Sequence, residues 1–328
     1  MTRTVRVSSA IGLLAAAAAA GLWFWGPGPR RRAPVVVEIP SGASHARIAR
    51  TLADAGVVRS ALGFEAWAAW HAGRRLKAGT YQFRGQEWVA QVFDKLARGE
   101  FYAIAVTVPE GYNRFDIARE LQRLGLAPSA EVLAATADPA SIRDLDPAAV
   151  SLEGYLFPAT YPIAPGTPVG RILGLMTARF RQEVKQEAVA PADLHQVVTL
   201  ASLIEKETAV PQERGLIAGV FTNRLARGMM LQCDPTVIYA ALLAGRYAGA
   251  IRREDLLARS PYNTYARAGL PPGPIANPGR AALVAAAHPT ATPYLYFVSN
   301  GAGAHNFART LAEQQRNVAA YRRFQAAH

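Results

Sequence analysis

A stretch of eighteen residues without a charged side chain lies near the start of the sequence, at residues 8–25. As an α-helix it would be about 27 Å long, close to the hydrocarbon thickness of a bilayer, and it has no polar face with which to join a soluble core. Trp23, Phe24 and Trp25 end the stretch, as aromatic side chains do at a membrane interface. The stretch predicts an uncleaved single-pass anchor, with a cleaved signal peptide as the alternative.

The charges around this stretch leave its orientation open. Arg3 and Arg6 precede it, and Arg30–Arg32 follow the glycines and prolines that stop the helix. Because cationic residues favour the cytoplasmic side, the two flanks nearly balance. The predicted division of the chain is a short cytoplasmic tail at 1–7, the anchor at 8–25, a linker at 26–34, a small module at 35–104 and a larger domain at 105–328.

The composition excludes several kinds of site. Cys233 is the single cysteine, so one chain can form neither a disulfide framework nor a thiolate metal cluster. The six histidines lack paired metal-ligand spacing, and we expect neither a metal nor a cofactor. The net charge of +12 suits anionic lipid, an acidic polymer or nucleic acid, and a solvated arginine-rich exterior explains it equally well.

The sequence predicts an α+β fold after the anchor, with a small α/β module followed by a larger α+β catalytic domain. In residues 35–104 we expect a strand at 35–40, a helix that begins at the cap Ser44 and ends at Gly56, a helix at 61–71, a strand at 78–83 and a helix at 88–98. This strand–helix–helix–strand order resembles a LysM-type glycan-binding module, and a subdomain without a ligand is the alternative. Two short amphipathic helices follow between residues 115 and 148.

A helix with an apolar stripe along residues 194–204 places Glu205 one turn after Ala201. A carboxyl group beside such a stripe loses hydration, which raises its pKa and lets it hold a proton near neutral pH. Glu207 points to a different face of the helix. The alternative for either glutamate is a solvated position at the helix end, or a pairing with a nearby base: Lys206, Arg214 or Arg224.

Residues 260–279 combine five prolines with tyrosine, asparagine and threonine side chains. Proline stiffens the backbone, so such a loop can hold its side chains in place without regular secondary structure. Aromatic faces stack on sugar C–H groups, and amides and hydroxyls pair with sugar hydroxyls. The segment therefore predicts a carbohydrate-binding loop, with a structural wrapping loop as the alternative.

Two shorter motifs have simpler interpretations. Asp234 precedes Pro235 and an apolar run, which predicts that Asp234 caps a helix. The GAGAHNF sequence at 301–307 lacks the Lys-Ser/Thr pair of a phosphate loop and predicts a turn. The chain has no G-x-S-x-G elbow, so acyl-transfer chemistry has little support.

Several motifs in order resemble those of the YceG-like family of endolytic murein transglycosylases. They are LEGYLFP at 152–158, EKET at 205–208, LQCDPTVIY at 231–239, the segment at 260–279 and YLYFVSNGAGAHNFART at 294–310. The resemblance covers nearly the whole chain. It departs from the family at Cys233, where threonine is usual, and at Ala159, where aspartate is common.

The resemblance implies a lytic transglycosylase that cleaves the MurNAc–GlcNAc bond of nascent peptidoglycan strands. It implies that Glu205 acts as the single acid/base and that the products end in 1,6-anhydroMurNAc. Eight further residues match positions expected to line the glycan cleft, namely Glu153, Tyr155, Gln232, Asp234, Tyr262, Asn263, Thr264 and Asn277. The implied location is the cell inner (cytoplasmic) membrane, with the catalytic domain extracytoplasmic, membrane lipid around the N-terminal helix and peptidoglycan synthases as partners.

Two other functions fit parts of the sequence. A non-catalytic peptidoglycan-binding or scaffold protein could carry the same motifs with a degenerate site. A membrane-tethered nucleic-acid binder would explain the positive charge, but the sequence has no nucleic-acid-binding motif, and we expect no nucleic-acid partner.

Overall fold

Helices and three two-stranded sheets make up the residues that the computed structural model describes, 15–186 and 194–327. The fold is α+β, as predicted. The chain divides into two units, residues 1–104 and 105–328, and each has a hydrophobic core of its own.

The first unit contains the strand–helix–helix–strand order predicted from the sequence. Its elements are β1 (Val35–Ile39), α2 (His45–Asp54), α3 (Ala61–Trp70), β2 (Gly79–Phe83) and α4 (Val89–Arg98), preceded by a helix, α1, at residues 15–25. β1 and β2 pair antiparallel and bury alternate side chains. Ser44 caps α2 through its side chain, as expected, and Gly56, with φ of 66°, follows the end of the helix. The relation of this unit to LysM modules stays a prediction.

α1 ends against α3 within the first unit. A Cβ atom on Gly63 would lie 2.0 Å from the carbonyl oxygen of Phe24, so only glycine allows this close approach. The predicted tail at 1–7 and the first part of the predicted anchor, residues 8–14, lie outside the described residues. Among the residues that are described, no helix has both the length and the hydropathy to cross a bilayer, and the anchor stays a prediction.

The second unit is mainly helical. Its elements are β3 (Ile104–Thr107, which begins at the boundary), α5 (Arg114–Arg123), α6 (Ser129–Ala137), β4 (Thr160–Ile163), α7 (Val169–Gln186), α8 (Leu194–Glu207), α9 (Arg214–Ala226), α10 (Asp234–Leu243), α11 (Arg253–Leu257), α12 (Arg280–Ala287), β5 (Tyr296–Ser299), β6 (His305–Ala308) and α13 (Leu311–Ala327). β3 pairs with β4, and β5 pairs antiparallel with β6. The turn predicted at GAGAHNF joins β5 to β6.

α8 lies at the centre of the second unit and contacts α9, α10 and α12. Its predicted apolar stripe is buried, from Leu194 to Ile204. The proline-rich segment crosses this helix, and the Ser202 hydroxyl accepts a hydrogen bond from the Ile275 N–H at 3.1 Å. Residues 273–279 are buried. The segment therefore joins the core and carries Gly279 to the last turn of α8, where Glu205 lies.

Candidate active site

Glu205 lies in the last turn of α8 with only 6% of its side chain exposed. Its Oε2 atom accepts a hydrogen bond from the Gly279 N–H at 3.0 Å. Gly279 is the N-cap residue of α12, so the Glu205 carboxyl group lies at the positive end of that helix. Nη2 of Arg214 is 3.9 Å from Oε1. The sequence left open whether Glu205 lies beside the apolar stripe or pairs with Arg214. In the structure it does both.

The surroundings of Glu205 favour its protonated form. Burial is the largest cause and raises the pKa of Glu205 above its ordinary value, and the negative charge of Glu110 raises it further. The Gly279 N–H and the positive charges of Arg214 and Lys206 act in the opposite direction. The net result is a raised pKa, which keeps the proton on Glu205 at a higher pH than on an exposed glutamate.

Glu110 is a second carboxylate beside Gly279 that the sequence analysis did not select. It is exposed and lies in the loop between β3 and α5. A Cβ atom added to Gly279 would lie 1.9 Å from Oε1 of Glu110, so this carboxylate rests directly against the glycine. The sequence offered only a weak signal for it, a polar residue between Pro109 and Gly111 at the end of a strand.

Asn277 and Glu153 form a buried polar link behind Gly279. Oδ1 of Asn277 accepts from the Leu156 N–H at 2.9 Å, and Nδ2 donates to the Tyr112 carbonyl at 2.9 Å and to Glu153 Oε1 at 3.0 Å. Glu153 also accepts from the Arg114 N–H. Burial raises the pKa of Glu153 to about 7. The polar groups of both side chains form hydrogen bonds to protein atoms, which favours a positioning role over direct contact with a ligand.

Three more of the predicted cleft residues have buried polar groups that bond within the protein. The Tyr155 hydroxyl donates to Asp146. Nδ2 of Asn263 donates to the Leu256 and Ala258 carbonyls at the end of α11, at 3.0 and 2.8 Å. The Thr264 hydroxyl accepts from the Cys233 N–H at 3.0 Å. These residues hold the proline-rich segment and its neighbours in place.

The other three predicted cleft residues are Gln232, Asp234 and Tyr262. Gln232 is exposed and has φ of 53°, in the left-handed region that side chains other than glycine seldom adopt. Asp234 is also exposed, but it does not cap α10 as predicted. The cap is Cys233, and Asp234 is the first helical residue, with its Oδ1 accepting from the Tyr265 hydroxyl at 2.6 Å. Tyr262 is mostly buried, with its ring centroid 5.1 Å from that of Tyr239.

Glu207 belongs to a different environment, consistent with its predicted position on another face. Burial raises its pKa, and its carboxyl group interacts with Cys233. Burial also raises the pKa of the Cys233 thiol well above its ordinary value. Glu207 is half-buried, and its carboxyl group contacts an interior thiol and is not a solvated helix end.

A cavity of about 440 Å³ lies between α5 and α10, next to the end of α8. Both polar and apolar side chains line it: Asn113, Asp116, Arg119, Lys206, Pro235, Ile238, Tyr239, Leu242, Tyr247 and Ile275. Lys206 lines this cavity and also donates to the Gly111 carbonyl at 3.2 Å. Glu205 is the neighbouring residue of the chain but does not line the cavity.

The arrangement is suited to acid–base chemistry. One nearly buried carboxyl group favours its proton, with Oε2 accepting a backbone N–H and Oε1 3.9 Å from Nη2 of Arg214. Within the described residues, no group of three or more histidine, cysteine or acidic side chains could hold a metal ion. The class of protein that fits is a proton-transfer enzyme built on an α+β domain.

Comparisons with known proteins give the particular family. The profile of the YceG-like family matches residues 37–320, so the chain belongs to the YceG-like family. The chain is 36% identical over 305 residues to a Bacillus subtilis (strain 168) protein named endolytic murein transglycosylase, covering 86% of this chain and 83% of that protein. It is 32% identical over 319 residues to the protein of the same name from Streptococcus pneumoniae serotype 2 (strain D39 / NCTC 7466), covering 87% of this chain and 58% of that one.

A solved structure is similar as well. The 2.6 Å crystal structure of a putative YceG-like protein from Listeria monocytogenes has a TM-score of 0.55 and 33% sequence identity, covering 88% of this chain and 99% of that chain. The family predicted from the sequence motifs is thereby confirmed.

Proposed function

We propose that this protein is a peptidoglycan lytic transglycosylase that cleaves glycan strands internally, at the bond between MurNAc and GlcNAc, and leaves 1,6-anhydroMurNAc ends. The relatives named endolytic murein transglycosylase support the substrate and the type of reaction. The observation that carries the proposal for the residue is the nearly buried Glu205 carboxyl group, with a raised pKa and one oxygen held by the Gly279 N–H.

The first step is protonation of the glycosidic oxygen. Because Oε2 accepts the Gly279 N–H, the proton of the neutral acid resides on Oε1. Oε1 donates this proton to the oxygen that links C1 of MurNAc to GlcNAc. The C1–O bond then breaks, GlcNAc leaves with a new hydroxyl group, and positive charge develops at C1 of MurNAc.

The second step closes the anhydro ring and restores the enzyme. Glu205, now ionised, takes the proton from the C6 hydroxyl of the same MurNAc residue while O6 forms a bond to C1. Glu205 ends the cycle protonated, and no water is consumed. One carboxyl group therefore suffices for proton transfer, whereas hydrolytic glycosidases use two.

The remaining predicted residues divide by their burial. Gln232 and Asp234 are exposed, and we assign them direct contact with the glycan. Glu153, Tyr155, Tyr262, Asn263, Thr264 and Asn277 are buried and position the loops around them. The cavity next to Lys206, with tyrosine faces and several hydrogen-bonding groups, has the mixed character that sugars require.

The location and partners also belong to the proposal. A single-pass anchor at residues 8–25 would hold the catalytic unit on the outer side of the cell inner membrane, where strands are synthesised. Cleavage there would terminate elongation beside the peptidoglycan synthases. The net charge of +12 suits an anionic lipid surface and an anionic wall.

The test compares the full-length protein in detergent with Glu205→Gln and with a control, Glu131→Gln, which changes an exposed glutamate of the same unit. Each protein is incubated with isolated sacculi and with uncrosslinked glycan, and the soluble products are identified by mass spectrometry. We expect 1,6-anhydroMurNAc ends from the wild type and the control, and a loss of at least about 100-fold for Glu205→Gln because the proton donor is gone.

Other products would change the proposal. Reducing ends would mean hydrolysis and would call for a second catalytic carboxylate. No product from any protein, with binding to sacculi retained, would instead support the scaffold alternative.

A further inference from the structure

Position 279 requires glycine because of a neighbouring side chain and not because of its own backbone conformation. Its φ of −76° is one that any residue adopts. A Cβ atom there would, however, lie 1.9 Å from Oε1 and 2.1 Å from Cδ of Glu110. The position therefore excludes a side chain because the Glu110 carboxylate occupies that space.

The same glycine holds Glu205. Its N–H donates to Glu205 Oε2 at 3.0 Å, so the carboxyl groups of Glu110 and Glu205 both contact one residue. Glu205 is the inner of the two, with 6% of its side chain exposed, and Glu110 is exposed to solvent. Two carboxyl groups in this arrangement influence each other through their charge.

The loop that carries Glu110 is fixed on both sides. The Gly111 N–H donates to the Asn277 carbonyl at 3.0 Å, and the Asn277 N–H donates to the Tyr112 carbonyl at 2.8 Å. Nζ of Lys206 donates to the Gly111 carbonyl at 3.2 Å. Glu110 is thus attached to the proline-rich segment and to α8, the two elements that form the Glu205 site.

We propose that Glu110 is a second functional carboxylate of the active site, a positioning residue whose negative charge keeps the proton on Glu205. The inference rests on the proposed function of Glu205 as acid/base. It assigns to Glu110 no proton transfer of its own.

The charges around Glu205 explain why such a residue is needed. Arg214 from α9, Lys206 from α8 and the N-terminus of α12 at Gly279 all stabilise the ionised form of Glu205. Glu110 opposes them, and its effect on the pKa of Glu205 is larger than that of either cation. Burial and the charge of Glu110 therefore keep Glu205 protonated for the first step.

The experiment measures initial rates of glycan cleavage by the full-length protein from pH 5 to 9. Glu110→Gln removes the charge and keeps the shape of the side chain. Gly279→Ala keeps the charge and the N–H, but its methyl group displaces the flexible Glu110 side chain. Glu131→Gln serves as the control, and thermal unfolding checks that every variant is folded.

We expect the basic limb of the pH–rate profile to move to lower pH by about 0.5–1 unit in both Glu110→Gln and Gly279→Ala. The direction follows because Glu205 loses its proton more easily once the negative charge is removed or displaced. At the basic end this corresponds to about a 3- to 10-fold loss of rate, with little change at the acidic end.

The inference is overturned if folded Glu110→Gln keeps the wild-type basic limb, or if its rate falls equally at every pH. An inactive wild type would instead reject the proposed function, so the two failures are distinguishable.

Discussion

Three glutamates of the second unit have raised pKa values, and their neighbours give them different properties. Glu205 accepts one backbone N–H, and its other oxygen is 3.9 Å from Nη2 of Arg214. Glu153 is surrounded by protein donors from Arg114 and Asn277. The carboxyl group of Glu207 contacts the buried thiol of Cys233. A second acidic side chain raises the pKa of each of them, namely Glu110 for Glu205, Asp116 for Glu153 and Asp234 for Glu207. The hydrogen bonds of the three carboxyl groups therefore distinguish them, and not the presence of a neighbouring carboxylate.

The raised pKa of Glu153 predicts how the stability of the protein depends on pH. Burial raises its pKa from 4.5 to about 7, so the folded protein binds this proton more tightly than the unfolded chain does. The stabilisation is fully present below pH 4.5 and is lost as the pH rises through 7. Unfolding in urea at pH 5 and pH 8 should show that the wild type loses roughly 3 kcal/mol more than Glu153→Gln over this range.

The difference between the two proteins isolates Glu153, because Glu205 and Glu207 contribute equally to both. Parallel loss of stability in wild type and variant would show that the fold does not retain the Glu153 proton.

At the scale of elements, the sequence predicted the regular structure well and the proline-rich segment less well. Helical periodicity and caps such as Ser44 are local signals, and they predicted α2 and the buried stripe of α8. The segment at 260–279 has tyrosine and asparagine side chains typical of an exposed binding loop, yet much of it is buried. Its polar groups find partners on distant elements, such as Ser202 for the Ile275 N–H, and no local pattern reveals these contacts.

Contacts with distant parts of the chain, which no local pattern reveals, also explain why some residues were misplaced or missed in the sequence analysis. Asp234 was predicted to be a cap from its neighbour Pro235, but the Tyr265 hydroxyl binds its carboxylate and the helix begins one residue earlier than expected. Glu110 and Glu205 are 95 positions apart in the chain. Gly279 brings them together only once the segment has folded across α8.

Asn277 allows the attachment of this segment to be tested. Its side chain binds Leu156, Tyr112 and Glu153, and all three hydrogen bonds are lost in Asn277→Ala. Because buried partners remain unsatisfied, we expect the free energy of unfolding to fall by about 2–4 kcal/mol in urea titrations. Asn306→Ala, an exposed change on β6, should alter it by no more than about 0.5 kcal/mol. Equal effects for the two variants would mean that the segment is held mainly by apolar packing.

At the scale of the whole molecule, the proposed chemistry belongs entirely to residues 105–328, since Glu110, Glu205 and Gly279 all lie there. The first unit carries every tryptophan of the chain: Trp23, Trp25, Trp67, Trp70 and Trp88. Trp70 and Leu62 are highly exposed, at 81% and 70%. These features suit a unit that works close to a membrane interface, and the proposed anchor supplies the attachment.

The anchor is tested best by changes that keep its length. Ala16 and Ala19 are exposed on α1, in the middle of the apolar stretch. Replacing both with arginine places two charges where the hydrocarbon region would be, at a cost of about 2.5–3.5 kcal/mol each. We expect the wild type to float with lipid vesicles in a density gradient, and the double variant to stay in the soluble fraction while still cleaving uncrosslinked glycan. Ala302→Arg, in the exposed turn before β6, controls for added charge and should float like the wild type. A double variant that still floats would contradict the anchor and would direct attention to the exposed Leu62 and Trp70 as the membrane contact.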